Sequence, residues 1–342
     1  MDCTDLAMQR PALRILEANE DTPLVFAVQH FCLHDGPGTR SIVFFKGCPL
    51  RCSWCQNPES WRREAELAHK EHLCASCESC VKACPTGAMT EPGKWDPARC
   101  DLCMKCVDAC PTASLVSFGV RHSTEALFAQ LRPEYDLYRR SGGGVTFSGG
   151  EATLFADYIT HLARRLQSDG IHVAIETCGL FKLESVDALL SVTDLLLFDI
   201  NLFSDSEHRR FCGAGVTKIK ANLKTLVERA RRKEGPALWP RLPVIPGVTD
   251  TLANLEGWAG FLSELGVNAL TLVPYHALGS SKRLWLPRAP AAPALEPLSD
   301  RALERCHEVF AARSIRCFAP GDEPFAHIQS ASLNNDQSCA ST

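Results

Sequence analysis

Eleven of the 18 cysteines in this chain fall into three compact groups between Cys48 and Cys110. The first group is Cys48, Cys52 and Cys55, in a C-x3-C-x2-C spacing with no fourth cysteine at ligand distance. Three thiolates on one short loop can hold three irons of a cubane iron–sulfur cluster, leaving the fourth iron open to a small molecule. By analogy with zinc, an open position marks a reactive centre, whereas a closed site is structural or carries electrons. Taken alone, the triplet also fits chance or part of a zinc site.

The other two groups repeat each other. Cys74, Cys77, Cys80 and Cys84 precede Pro85, and Cys100, Cys103, Cys106 and Cys110 precede Pro111, an offset of 26 residues from Cys74 to Cys100. C-x2-C-x2-C-x3-C-P is the bacterial two-cluster pattern, in which the fourth cysteine of each run ligates the other cluster. It assigns Cys74, Cys77, Cys80 and Cys110 to one [4Fe–4S] cluster, and Cys100, Cys103, Cys106 and Cys84 to a second. Two zinc sites are the alternative, but zinc knuckles use separated C-x2-C pairs. Each half is too short for a domain, so the two should pack as one pseudo-symmetric module. Cys3, Cys32, Cys178, Cys212, Cys306, Cys317 and Cys339 lie outside any spacing and read as ordinary thiols.

Further polar groups stand where predicted strands end. Gly149 and Gly150 permit close backbone approach, and Glu151 adds an anionic acceptor; the plain reading is a strand-to-helix turn. Asp199 closes the apolar run 195–200, and Glu176-Thr177 closes another strand. A carboxylate ending a buried strand needs a partner or a ligand, although capping is the plain alternative. Arg241 stands just before a strand at 242–245, where an arginine is ordinarily solvated. His276 closes Val273-Pro274-Tyr275-His276, where a histidine is ordinarily structural.

These groups must be carried by elements. Patterning predicts strands at 24–29, 41–46, 145–148, 172–176, 195–200, 242–245, 269–273 and 315–318. Helices are expected at 124–138, broken or kinked by Pro133, and at 155–168, 184–191, 218–232, 252–265 and 299–312. Repeated strand-then-helix units imply a parallel sheet with helices outside. In such folds the working loops gather at the C-terminal ends of the strands, which would bring all the candidates together. Residues 1–23 read as a flexible leader, 286–297 as a Pro/Ala-rich connector, and 326–342 as a disordered tail.

Composition narrows the function classes. The chain has 342 residues, 45% hydrophobic and 22% charged, with net charge −4. This argues against a general nucleic-acid binder. No run reaches the roughly 20 apolar residues of a membrane helix, and the polar start lacks a secretory h-region. Cysteine-rich metal sites in a chain with a sizeable core point to a reducing, cytoplasmic setting rather than disulfides.

C-x3-C-x2-C with Trp54 before its last cysteine resembles the signature of the radical S-adenosylmethionine (SAM) superfamily. The stretches 34–40, 47–60, 141–151 and 274–279 are similar to the activating enzymes of glycyl radical enzymes, long type with a ferredoxin-like insert. Gln56, Ala152 and Asn201 depart from common family residues. The resemblance implies an incomplete (β/α)6 TIM-like barrel, residues 24–64 and 119–325, interrupted by an α+β two-cluster ferredoxin-like module at 65–118. It implies three [4Fe–4S] clusters and SAM, with Trp54, Gly149, Gly150, Glu151, Glu176, Thr177, Asp199, Arg241 and His276 at the cofactor or at an associated monovalent cation. The implied activity is reductive cleavage of SAM to a 5′-deoxyadenosyl radical, which takes a glycine Cα hydrogen from a partner glycyl radical enzyme. A ferredoxin or flavodoxin donor and a monomeric state are expected. Competing readings are a radical SAM enzyme acting on a small molecule or RNA, and a non-catalytic electron-transfer protein.

Overall fold

The computed structural model describes residues 22–286, 295 and 298–325; the leader up to residue 21, nearly all of the 286–297 connector and the 326–342 tail lie outside the described residues. In chain order the strands are β1 (Leu24–Cys32), β2 (Arg40–Phe45), β3 (Glu66–His69), β4 (Met89–Glu91), β5 (Lys94–Trp95), β6 (Leu115–Phe118), β7 (Val120–Arg121), β8 (Gly144–Gly149), β9 (His172–Thr177), β10 (Leu195–Asp199), β11 (Ala237–Val244), β12 (Ala269–Pro274) and β13 (Arg316–Phe318).

Nine of these form one sheet in the order β13-β12-β11-β10-β9-β8-β2-β1-β7. From β2 through β13 every pairing is parallel, so the sheet is mostly parallel, as expected of a partial barrel. β1 runs antiparallel to β2 and to β7, and so closes one edge. Helices between the strands cover the outer face. Ile159, Leu162, Ala163 and Leu166 of Ala156–Ser168, and Ile219, Leu223, Leu226 and Val227 of Thr217–Arg231, are buried there at helical spacing. Side chains alternate across a strand. Leu196 and Phe198 therefore face the helices, while Leu195 and Leu197 pack inward with Ala174, Trp239 and Phe325.

Pro133 does divide the helical run 124–138. Thr124–Leu131 and Tyr135–Ser141 are α-helices joined by a 3-10 turn that contains it. Outside the insert, two helices have no counterpart in the sequence reading: Asp205–Cys212 and Leu278–Trp285. Both are only eight residues long, too short for a strong periodic signal, although Ser204 before the first and left-handed Gly213 (φ 82°) after it are recognisable caps. β11 begins five residues earlier than expected. Trp239 and Pro240 pair with Leu197 and Phe198, even though proline is usually confined to sheet edges. Arg241 thus lies inside a strand and not before one.

The insert hangs from the antiparallel pair β3–β6, which brings its two ends together. Its halves repeat in conformation as well as in sequence. Ser76 and Glu78 have φ 51° and 60°, and Leu102 and Met104, 26 positions on, have φ 56° and 59°. Short helices follow at Ser79–Ala83 and Lys105–Asp108. Cys80 and Cys106 are both buried with Leu67, Met89 and Leu115.

Candidate active site

Lys46, directly after β2, is fully buried and holds the chain as it leaves the sheet. Its Nζ donates to Glu66 Oε2 at 2.8 Å and to the carbonyl of Glu59. The 48–55 loop is then tied down on three sides. Gly47 N–H donates to Ser60 O (2.6 Å), Glu151 N–H to Gly47 O (2.9 Å), and Arg51 and Ser53 N–H to the carbonyls of Cys212 (2.8 Å) and Phe211 (2.9 Å). The glycine pair is a matter of close approach. Gly149 has φ +114°, and a Cβ there would overlap the backbone of Phe45; one on Gly150 would overlap Gly47 O and meet Cys48 Cβ at 3.0 Å.

Cys48, Cys52 and Cys55 open onto a cavity of about 710 Å³, lined also by Trp54, Gly149, Gly150, Glu176, Thr177, Asp199 and Arg241. The 48–55 loop and the ends of four strands, β8 to β11, therefore bring together ten of the twelve residues expected at this site. Glu151 and His276 differ. Glu151 is buried beneath the loop with both carboxylate oxygens engaged: Oε1 accepts from Thr153 N–H (3.2 Å), Thr153 Oγ1 (2.6 Å) and Thr177 Oγ1 (2.7 Å), and Oε2 from Cys178 N–H (2.8 Å). It clamps the ends of β8 and β9 together and does not line the cavity. His276 is exposed at the rim, and its neighbour Tyr275 lines the wall instead. Asn201 lines the cavity too, its carbonyl accepting from Trp258 Nε1 at 3.2 Å.

One wall is electrostatic. Asp199 and Arg241 are register partners on β10 and β11, and the strand period turns both inward. Arg241 Nε donates to Asp199 Oδ1 at 2.8 Å, and Nη1 donates to Glu176 Oε1 at 2.6 Å. Asp35 Oδ1 lies 3.7 Å from the same guanidinium nitrogen. Ser148 Oγ donates to Glu176 Oε2. Asp35 was not among the expected residues. Its loop is held by the buried Arg40, which donates to Pro37 O (2.9 Å) and Thr146 Oγ1 (2.7 Å), while Thr146 donates to Asp35 O (2.8 Å). Three carboxylates thus share one guanidinium. Burial, and then the Glu176 charge, push Asp35 up to about 8. Asp199 is raised by burial despite Arg241. For Glu176, burial acts upward, but Arg241, Ser148 and Asp35 outweigh it and its pKa falls.

The donor set fits iron–sulfur chemistry better than a single metal ion. Four thiolates at about 2.3 Å from zinc stand roughly 3.8 Å apart. Among the described residues, no group of three or more His, Cys, Asp or Glu is close enough to hold one ion. Burial pushes the Cys55 thiol up to about 12; a bound metal would favour its thiolate. In the insert, Cys84 lines a cavity together with Cys100, Cys103 and Cys106, and Cys110 lies within electrostatic reach of Cys77. The fourth cysteine of each run thus lies near cysteines of the other run. Equivalent amides face equivalent sulfurs: Met89 N–H to Cys84 (3.4 Å) and Leu115 N–H to Cys110 (3.5 Å).

Comparison with known proteins adds to this. Residues 106–255 match the Radical SAM superfamily, 34–87 a 4Fe-4S single cluster domain and 94–115 a 4Fe-4S binding domain. The chain is 40% identical over 275 residues to the (2S)-3-sulfopropanediol sulfolyase activating enzyme of Bilophila wadsworthia, covering 79% of this chain and 90% of that protein. It is 39% identical to the trans-4-hydroxy-L-proline dehydratase activating enzyme of Clostridioides difficile (85% and 96%), and 35% identical to the benzylsuccinate synthase activating enzyme of Thauera aromatica (78% and 82%). Among solved structures, Streptococcus suis SuiB bound to precursor peptide SuiA superposes with TM-score 0.51 at 12% identity, covering 90% of this chain and 54% of that one, a likeness of fold alone.

Proposed function

The chain belongs to the glycyl-radical-enzyme activating enzymes of the radical SAM superfamily, and from this we propose that the 48–55 loop and the cavity above it are its active site. It binds iron–sulfur clusters and SAM, and its protein substrate is a glycyl radical enzyme. When bound, the clusters pass electrons to SAM, whose cleavage supplies the 5′-deoxyadenosyl radical that takes a hydrogen atom from a glycine Cα of the partner.

The observation that carries this assignment is the single cavity joining the three cysteines to an acid-rich wall. Cys48, Cys52 and Cys55 would hold three irons and leave one open. Gly149 and Gly150 bare their backbone to whatever occupies the cavity, which a side chain at either position would prevent. Asp35, Glu176 and Asp199 exceed Arg241 in charge, so this wall favours a cation: the SAM sulfonium, and a monovalent cation beside it. Glu151 acts one layer below, by fixing β8 to β9. A partner's glycine loop that enters the cavity also excludes water from it.

Two [4Fe–4S] clusters in the insert complete a set of three, one of them held by Cys84, Cys100, Cys103 and Cys106. Cys77 and Cys103 are exposed at equivalent positions of the repeat, which supports electron entry there from a ferredoxin or flavodoxin. No helix of the described residues is long and apolar enough to cross a membrane; we place the protein in the cytoplasm as a monomer. The assignment is tested by iron analysis and electron paramagnetic resonance on anaerobically reconstituted protein. About twelve irons per chain are expected, with one reduced-cluster signal that changes on adding SAM. Replacing Cys52 with alanine should abolish that signal and spare the others; its persistence would move the active site elsewhere.

A further inference from the structure

Among the described residues, the cations lining the cavity are Arg241 and Lys282, and they stand in different surroundings. Arg241 is committed to the acid wall through Asp199 and Glu176, with Asp35 3.7 Å away. Lys282 belongs to the helix Leu278–Trp285, which is fastened to the three-cysteine loop. Arg283 Nη2 donates to Ser53 O at 2.7 Å. Gly279 lies so close to the loop that a Cβ would stand 2.5 Å from Cys55 O and 2.7 Å from Gln56 Cα. This seating brings Lys282 Nζ to Asn57 Oδ1 at 2.8 Å and to Glu59 Oε1 at 2.6 Å. An ammonium has three N–H donors, so one remains, and no protein acceptor meets it among the described residues. Glu59 itself is buried and does not line the cavity, so Lys282 and not its counter-ion faces a ligand. Ser60, the next residue in the chain, is fully buried and lines the same cavity, and its hydroxyl has no partner among the described residues.

We infer that Lys282 binds the carboxylate of SAM, donating to it the N–H that Asn57 and Glu59 leave over. The inference rests on the assignment of this cavity as the SAM site. SAM carries a sulfonium, an ammonium and a carboxylate. The wall of Asp35, Glu176 and Asp199, whose carboxyl groups outnumber Arg241, suits the first two and repels the third. The carboxylate therefore needs a cation elsewhere in the cavity, and Lys282 is that cation. Hydrogen bonds between an ammonium and a carboxylate are about twice as strong as neutral ones. Asn57 and Glu59 already hold the long lysine side chain in place, which lowers the entropy cost of engaging a ligand. The cavity then reads the cofactor by charge at two ends, its cationic groups at the acid wall and its carboxylate beside the three-cysteine loop.

The test compares equilibrium binding of SAM and of decarboxylated SAM to the anaerobically reconstituted holoprotein. The second ligand keeps the sulfonium and the amine but lacks the carboxylate. The native protein should prefer SAM. Lys282→Met should weaken SAM binding roughly tenfold to a hundredfold and leave decarboxylated SAM within about threefold of native. Unchanged SAM affinity overturns the proposal, as does an equal loss for both ligands, which would mark a merely structural role. Should the variant fail to load iron in the loop, Lys282→Met combined with Glu59→Gln, which leaves no carboxylate unpaired there, decides by the same comparison. A fall of about tenfold or more in the preference for SAM supports the proposal, and an unchanged preference overturns it. Equal native affinity for the two ligands also overturns it, while leaving the active-site assignment intact. If the native holoprotein binds neither ligand, that assignment fails first and this inference falls with it.

Discussion

Asp35, Glu176, Asp199 and Arg241 form the charged wall of the cavity, and their balance sets how it responds to pH. Asp35 titrates near pH 8 in the fold, against 3.8 when unperturbed. Between these values the native protein holds a proton that the unfolded chain lacks, so this group makes stability fall as pH rises from about 4 to 8. A cationic cofactor prefers the ionised wall. Binding should therefore expel the proton, and affinity for SAM should strengthen by up to about tenfold per pH unit below 8, then level off. Binding isotherms between pH 6.5 and 9 check this; Asp35→Asn should flatten the profile, and a flat native profile would contradict it. Arg241 is the counter-ion. Arg241→Gln leaves Glu176 and the part-exposed Asp199 without their counter-ion and should destabilise the fold by roughly 1–3 kcal/mol, read as a lowered thermal midpoint. Three of the four wall residues are legible in sequence. Glu176 and Asp199 are found because they end apolar strands. Arg241 is found through the family resemblance, while its place inside a strand is hidden because Pro240 and Pro243 disguise that strand. Asp35 reaches the cavity on a loop that Arg40 anchors through Thr146, 106 residues away in the chain.

At the scale of elements, the site depends on how closely β8 approaches β2. Gly150 N–H donates to Phe45 O at 2.9 Å, and the space a Cβ would need at Gly150 is taken by Gly47 O. Gly150→Ala must push the 48–55 loop outward. Its expected result is loss of about four of about twelve irons per chain, with loss of the SAM-responsive signal and retention of the insert signals; full iron content would show that the approach is not required. Sequence patterning locates the strands because their apolar runs are long, and it locates the glycine pair because strand and helix flank it. It misses Asp205–Cys212 and Leu278–Trp285, which are short and mostly polar. Those two helices nevertheless flank the loop: the first through the carbonyls of Phe211 and Cys212, the second through Arg283, whose Nη2 donates to Ser53 O at 2.7 Å. The reading of Cys178 and Cys212 as ordinary thiols has the same origin. Their nearness to Cys48 and Cys52 is made by elements far apart in the chain.

On the scale of the whole molecule, the proposed function divides radical chemistry and electron supply between a mostly parallel partial barrel and the cysteine-rich insert. The crossed grouping in the insert makes a prediction about non-additivity. Cys84→Ser combined with Cys103→Ser should lose about four irons, no more than either change alone, because both touch one cluster; Cys84→Ser with Cys77→Ser should lose about eight. Equal losses from the two pairs would refute the grouping. The repeat in the insert was legible, since its spacings are local, and so was the family, through motifs that each lie within one loop; the short strands and helices of the insert were not. The partner's identity was not, because those motifs all belong to the proposed radical-generating site. The central claim, that a glycine of a partner protein is the hydrogen donor, is tested most directly by isotope transfer. The reduced protein is mixed with SAM and a glycyl radical enzyme whose glycines carry deuterium at Cα. The account predicts a glycine-centred radical on the partner, together with 5′-deoxyadenosine that has gained one deuterium. Unlabelled 5′-deoxyadenosine formed without any radical on the partner would contradict it.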